Sequence, residues 1–81
     1  MDEQIQEIVD TLDMLVEDLP FKPKQKLSEI ISELESLNDD FDTNELMKIQ
    51  DDLEGVSNMG NLDSYSRNEI INVLSVIETL I

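Results

Sequence analysis

The chain has 81 residues, of which 20 are acidic and 5 basic, so its net charge at pH 7 is −15. It contains no cysteine and no histidine, which excludes disulfides, thiol catalysis and sites built from thiolate or imidazole ligands. A charge of this sign disfavours binding to nucleic-acid phosphates and to anionic membrane surfaces.

Length and hydropathy predict one small helical domain over residues 1–81. Apolar residues make up 40% of the chain, which is enough for a hydrophobic core. No apolar run approaches the ~18 residues that a membrane-spanning helix needs. The start of the chain, Met1-Asp2-Glu3, lacks the positive charge of a signal peptide. The sequence therefore predicts a cytoplasmic protein that has neither a membrane nor a nucleic acid as its partner.

The first half of the chain predicts two helices, over residues 2–19 and 23–37. Pro20 disfavours helical geometry at the residue before it, and Pro23 suits the first turn of a new helix. The apolar residues of both segments recur at alternating intervals of three and four, as on one face of an α-helix: Ile5, Ile8, Leu12, Leu15 and Leu19, then Leu27, Ile30, Leu34 and Leu37.

The second half predicts another pair of helices, over residues 43–56 and 65–81. Asp42 followed by Glu45 has the form of a capping box for the third helix. Ser64 or Ser66 is predicted to cap the fourth helix, and Ser66, with a glutamate three positions later, is the better match to a capping box. The segment between them is rich in turn-forming residues and separates the two helices.

Four amphipathic segments with short connections predict an all-α fold, a four-helix antiparallel bundle made of two helical hairpins. Residues 28–34 resemble residues 68–74 at an offset of about forty, which suggests a duplicated hairpin. Solenoid arrays of similar period need about three repeats, so two copies favour a closed bundle. True duplication and the coincidence of two amphipathic patterns both account for this match.

The fourth segment has an apolar face that is wider than a single buried stripe. Such a helix is either enclosed on several sides, or it has an edge that contacts another subunit or a partner. Two methionines just beside the stripes of their helices suit an adaptable surface. The second alternative predicts an interaction surface formed by Ile71, Val73, Val76, Leu80, Met14 and Met47.

No catalytic, cofactor-binding or metal site is predicted. The acidic loop before the third helix fails as a calcium loop, because Thr43 and Ile49 stand where the motif requires glycine and a bidentate glutamate. The alternative to a solvated loop is weak cation binding by Asp39, Asp40 and Asp42. The other acids lie on polar helix faces and not in a cleft that pairs two carboxyl groups. We therefore predict that the protein is not an enzyme and has no cofactor.

Most of the basic residues lie near the ends of predicted helices. Lys22, Lys24 and Lys26 either dock an acidic group or neutralise neighbouring acids at the end of the bundle. Arg67 in the first turn of the fourth helix is disfavoured by the helix dipole, so we expect it to pair with an acid of the preceding loop. Tyr65 is expected to plug the end of the bundle.

Residues 53–59 (LEGVSNM), 66–74 (SRNEIINVL) and 77–78 (IE) resemble a small uncharacterised archaeal protein family (UPF series, number one-four-seven). The ending Val16-Glu17-Asp18 of the first helix is also similar to that family's pattern. The chain departs from it at Ser66, where the family has alanine, and at Ile71, where the family has tryptophan. The resemblance implies archaeal origin, an all-helical bundle and no assigned activity, and it transfers no catalytic residue.

The leading functional prediction is a non-enzymatic protein–protein interaction module whose partner is an unknown protein or a second copy of the chain. The alternative is an acidic binder of basic proteins, or a nucleic-acid mimic that competes for basic clefts by electrostatic steering. Salt separates the two predictions, because it weakens an electrostatic complex and leaves a hydrophobic interface intact or tightened.

Overall fold

A computed structural model describes residues 3–37 and 41–81 and contains four helices there. They are α1 (Glu3–Val16), α2 (Phe21–Glu35), α3 (Thr43–Ser57) and α4 (Ser64–Leu80). Each helix packs against the next along the chain, and α4 closes the ring against α1, so that the backbones of the diagonal pairs of described helices lie farther apart. The predicted all-α, four-helix antiparallel bundle is confirmed.

One apolar stripe from each helix forms the core along the axis of the bundle. Leu12, Leu27, Leu46 and Leu53 are fully buried there, and α4 contributes Ile70. Removing a leucine side chain from water stabilises the fold by about 1.5–3 kcal/mol. The radius of gyration of 11.7 Å is the value expected for a compact chain of this length. The remaining core residues are Ile5, Ile8, Val9, Leu15, Leu19, Ile30, Ile31, Leu34, Ile49, Val56, Leu62, Val73 and Ile77.

The connection between α1 and α2 differs from the prediction at both of its ends. α1 ends at Val16, and the N–H of Leu19 donates to the carbonyl of Val16 over 3.3 Å in a turn. Pro20 accounts for this early end, because it has no N–H to donate to the carbonyl of Val16 four residues earlier. α2 begins at Phe21, two residues earlier than predicted, and Pro23 still lies in the first turn, where its missing N–H is not needed.

Asp42 caps α3 as predicted, although the backbone N–H that it binds differs from that of a capping box. Asp42 accepts a hydrogen bond of 2.9 Å from the N–H of Asn44, whereas the N–H of Glu45 donates to the backbone carbonyl of Asp42. At the other end, α3 continues past Gly55 and stops at Ser57, one residue beyond the predicted end. Gly55 therefore lies inside a helix, with open space around its Cα.

The predicted cap of α4 is wrong. Asp63 caps this helix, and its carboxylate accepts a hydrogen bond of 3.0 Å from the N–H of Ser66. Ser66 is buried in the first turn of α4. A capping residue must itself have an extended backbone, as Asp63 has with φ −76° and ψ 167°, and the serine motif alone does not determine which residue adopts it.

Candidate functional site

A groove runs along the outside of the bundle between α1 and α4, the least closely packed of the four neighbouring helix pairs. The α4 wall of the groove is formed by Tyr65, Glu69, Asn72 and Val76, which helical spacing places on one face. The groove holds two adjoining depressions of ≈ 150 and ≈ 250 Å³, which share Thr11 and Glu69. The α1 wall, which continues into the turn after the helix, is formed by Glu7, Thr11, Met14 and Asp18.

The floor of the groove is apolar and continuous with the core. It is formed by Ile8, Leu15 and Val73, all of which are buried. Above it, the side chains of Met14 and Tyr65 are 76% and 68% exposed, values typical of surface residues. Exposed apolar groups gathered around a depression are characteristic of interaction sites, whereas scattered single ones are not.

The charged residues of this groove are all acidic. Glu7, Asp18 and Glu69 line it, and neither lysine nor arginine is among its lining residues. A larger depression of ≈ 400 Å³ between α2 and α3 has a different character, because Lys48 lies there beside Asp42 and other acids. The α1–α4 groove therefore combines an apolar floor with a rim of one charge sign.

The residues of the predicted interaction surface do not form one patch. Met14 and Val76 line the α1–α4 groove. Val73 is buried and forms part of the floor of this groove, and Leu80 is half-buried against the same core.

The other two residues of that surface lie away from the groove. Ile71 and Met47 are each nearly half exposed, and neither lines the α1–α4 depressions. Ile71 precedes Val76 by five positions, which turns the two side chains about 140° apart around α4. Since Ile71 and Val76 are both exposed, α4 is not fully enclosed by its neighbours.

The predicted surface omitted most of the residues that line the groove. Tyr65 was expected to plug the end of the bundle, and the structure places it on the exposed wall beside Met14. Thr11, Glu69 and Asn72 are polar, so a search for apolar periodicity passes over them. The available signal was the spacing of four, three and four residues that relates Tyr65 to Val76 through the two polar positions of α4.

Arg67 binds two backbone carbonyls at the end of the bundle that lies opposite the N-terminus of α1. Its Nε donates to the carbonyl of Ser57 over 3.0 Å, and its Nη2 donates to the carbonyl of Met59 over 3.1 Å. The expected pairing was therefore wrong: Arg67 hydrogen-bonds to backbone carbonyls and not to an acid of the preceding loop. The guanidinium of Arg67 acts on Asp63 only through a longer-range attraction. This attraction is the smallest of the effects that lower the pKa of Asp63.

The lysine cluster makes a weak local contact. Within the part of the chain that the structure describes, Lys26 pairs with Glu29 of the same helix, at 3.9 Å between Nζ and Oε2. Both side chains are largely exposed, so this pair contributes little to stability. The expected neutralisation of acids across the end of the bundle is not present among the described residues.

The acidic residues that the structure describes form no metal site. Over residues 3–37 and 41–81, no group of three or more acidic side chains is arranged to hold a metal ion. Asp42, one of the three candidate ligands, caps α3 instead. Asp39 and Asp40 lie outside the described residues, so weak cation binding there stays a prediction.

None of the four described helices combines the length and the apolar character needed to cross a bilayer. Comparison of the chain with protein-family models, with curated proteins and with solved structures finds no match. Kinship with the archaeal family therefore stays a prediction from the residues that resemble it.

Proposed function

We propose that this chain is a non-enzymatic protein-interaction module and that its binding surface is the groove between α1 and α4. The observation that carries the proposal is the clustering of Met14, Tyr65 and Val76, all exposed, around depressions with a buried apolar floor. Covering these side chains with a partner removes apolar surface from water, which is the main driving force of protein association.

The residue types in the groove suit this task. A tyrosine supplies a large contact area with few rotatable bonds, and aromatic residues are enriched at the energetic centres of interfaces. A methionine adapts its flexible thioether to an irregular partner surface. Tyr65 and Met14 line the same depression, so one apolar group of a partner contacts both.

A second candidate function rests on the charge alone. A net charge of −15 attracts basic partners to the protein surface, as in a protein that mimics nucleic acid. That function needs no apolar groove, and its complexes dissociate as salt rises. The apolar floor of the α1–α4 groove favours the first proposal.

The test compares two serine variants that each remove one exposed aromatic side chain. Tyr65→Ser alters the groove, whereas Phe21→Ser is the matched control, because Phe21 is 78% exposed on α2 and lies outside the groove. Each tagged variant and the wild type capture proteins from a native lysate of the source organism at low and at moderate salt, and the captured proteins are quantified.

The proposal predicts a partner that the wild type and Phe21→Ser retain at moderate salt and that Tyr65→Ser loses. Equal capture by both variants would show that the groove is not the binding surface. A set of basic proteins that all three chains lose together at moderate salt would support the charge-based alternative instead.

A further inference from the structure

We infer that the occupant of the α1–α4 groove is a short amphipathic helix of a partner protein, with lysine or arginine on both sides of its apolar face. This inference rests on the proposed function, because it specifies the partner of the same groove. Three features support it: the shape of the groove, its apolar floor and the positions of its carboxylates.

The groove has the dimensions of a helix-binding site. Along α4 it extends from Tyr65 to Val76, a distance of about 16 Å, or three helical turns. A fifth helix of about 12–14 residues placed between α1 and α4 directs side chains at i, i+3 or i+4, and i+7 into the two depressions. The exposed side chains of Met14 and Tyr65 provide the contact at one end, and Val76 provides it at the other.

A helix suits this floor better than an extended peptide does. The groove lies between two helices, whose backbone groups are already paired within each helix, so it has no strand edge for a peptide to join. An extended peptide would press unpaired N–H and C=O groups against Ile8 and Val73, which carries a desolvation penalty. A helical peptide satisfies its own backbone and presents only side chains.

The carboxylates specify the charge of the partner. Glu7 and Asp18 lie on the α1 side of the groove, and Glu69 lies on the α4 side. Cations on both flanks of a bound helix meet these groups, which fixes its position and accelerates encounter. A second copy of this chain brings a net charge of −15 and the same acidic rim, so like charges oppose its docking in this groove.

The first test uses a defined probe in place of the natural partner. An acetylated and amidated peptide of about 14 residues, with leucines at helical spacing and lysines on both flanks, is titrated into the labelled full chain while amide NMR resonances are followed. A scrambled peptide of identical composition lacks the apolar face and is the control. We expect shifts centred on Thr11, Glu69 and Asn72, and an affinity roughly tenfold above that of the scrambled peptide.

The same serine variants connect this test to the groove. Tyr65→Ser should weaken binding of the amphipathic peptide at least about fivefold, and Phe21→Ser should leave it unchanged. Glu69→Gln should lower the affinity and reduce its dependence on salt. Equal affinity for the two peptides, or shifts spread over all four helices, would overturn the inference, because only the net charge would then be recognised.

Two further outcomes separate this inference from the proposed function. If the captured partner depends on Tyr65 but binds through an acidic or extended segment, the inference fails and the proposed function stands. A dimer that light scattering detects in the wild type and not in Tyr65→Ser would likewise replace the basic helix by a second copy. Equal capture by Tyr65→Ser and Phe21→Ser overturns both.

Discussion

The Nε of Arg67 donates a hydrogen bond of 3.0 Å to the carbonyl oxygen of Ser57, and this contact joins the start of α4 to the end of α3. The last carbonyls of a helix have no partner within the helix and carry its partial negative charge. The guanidinium therefore satisfies an orphan carbonyl and complements the dipole of α3. This interaction offsets the unfavourable position of Arg67 in the first turn of its own helix.

Replacing Arg67 by glutamine should destabilise the fold by about 2 kcal/mol, because charged hydrogen bonds to the carbonyls of Ser57 and Met59 are lost. The measurement is urea denaturation followed by circular dichroism. Lys48→Gln is the matched control, since it removes one positive charge from an exposed position of α3. An equal loss in both variants would mean that Arg67 acts only through the net charge.

Gly55→Ala should raise the free energy of unfolding by about 0.5–1 kcal/mol. Gly55 lies in the last turn of α3 and does not have a positive φ, so glycine is less favourable there than alanine by about this amount. A Cβ at this position meets no atom within 4 Å, so the substitution introduces no clash. Gly60→Ala, in the turn before α4, is a control that lies outside any helix interior. A destabilised Gly55→Ala variant would contradict this placement of Gly55.

Asp63 should make stability depend on pH in the acidic range. Hydrogen bonds from the hydroxyl and the backbone N–H of Ser66 hold the pKa of Asp63 below its ordinary value. A carboxyl group whose pKa is lower in the folded state stabilises the fold above its unfolded-state pKa. This contribution is lost as the pH falls through the folded-state pKa.

The stability advantage of the wild type over Asp63→Asn should therefore be full near neutral pH and should shrink below about pH 4. Thermal unfolding of both proteins across this range measures the difference directly. Ser66→Ala removes one donor and should reduce the pH dependence of that difference. An advantage that stays constant down to the lowest pH would rule out the Asp63–Ser66 interaction as its source.

Salt should stabilise this protein. With a net charge of −15, the exposed acids repel one another, and the described exposed ion pair, Lys26–Glu29, spans 3.9 Å. Screening at 0.1 M salt shortens the range of these repulsions to about 10 Å. A gain of about 1 kcal/mol would raise the melting temperature by about 4–8 °C. A melting temperature that falls or stays flat between low and moderate sodium chloride would contradict the picture of uncompensated acidic faces.

The sequence by itself predicted which residues form the helices and most of the core. The intervals of three and four that place Leu12 and Leu53 on apolar stripes are local properties of the chain, and both residues are fully buried. The same holds for Asp42 as the cap of α3, since a capping residue acts on its immediate neighbours.

Only the tertiary structure decided which part of α4 faces solvent. Val73 and Val76 have the same side chain and lie one turn apart on α4, yet Val73 is buried in the floor of the groove and Val76 is exposed on its wall. The difference arises because α1 and α3 cover part of the circumference of α4 and the α1–α4 contact is the loosest of the ring. The periodicity of one helix predicts which face is buried. How much of that face the neighbouring helices cover depends on how closely they pack against it.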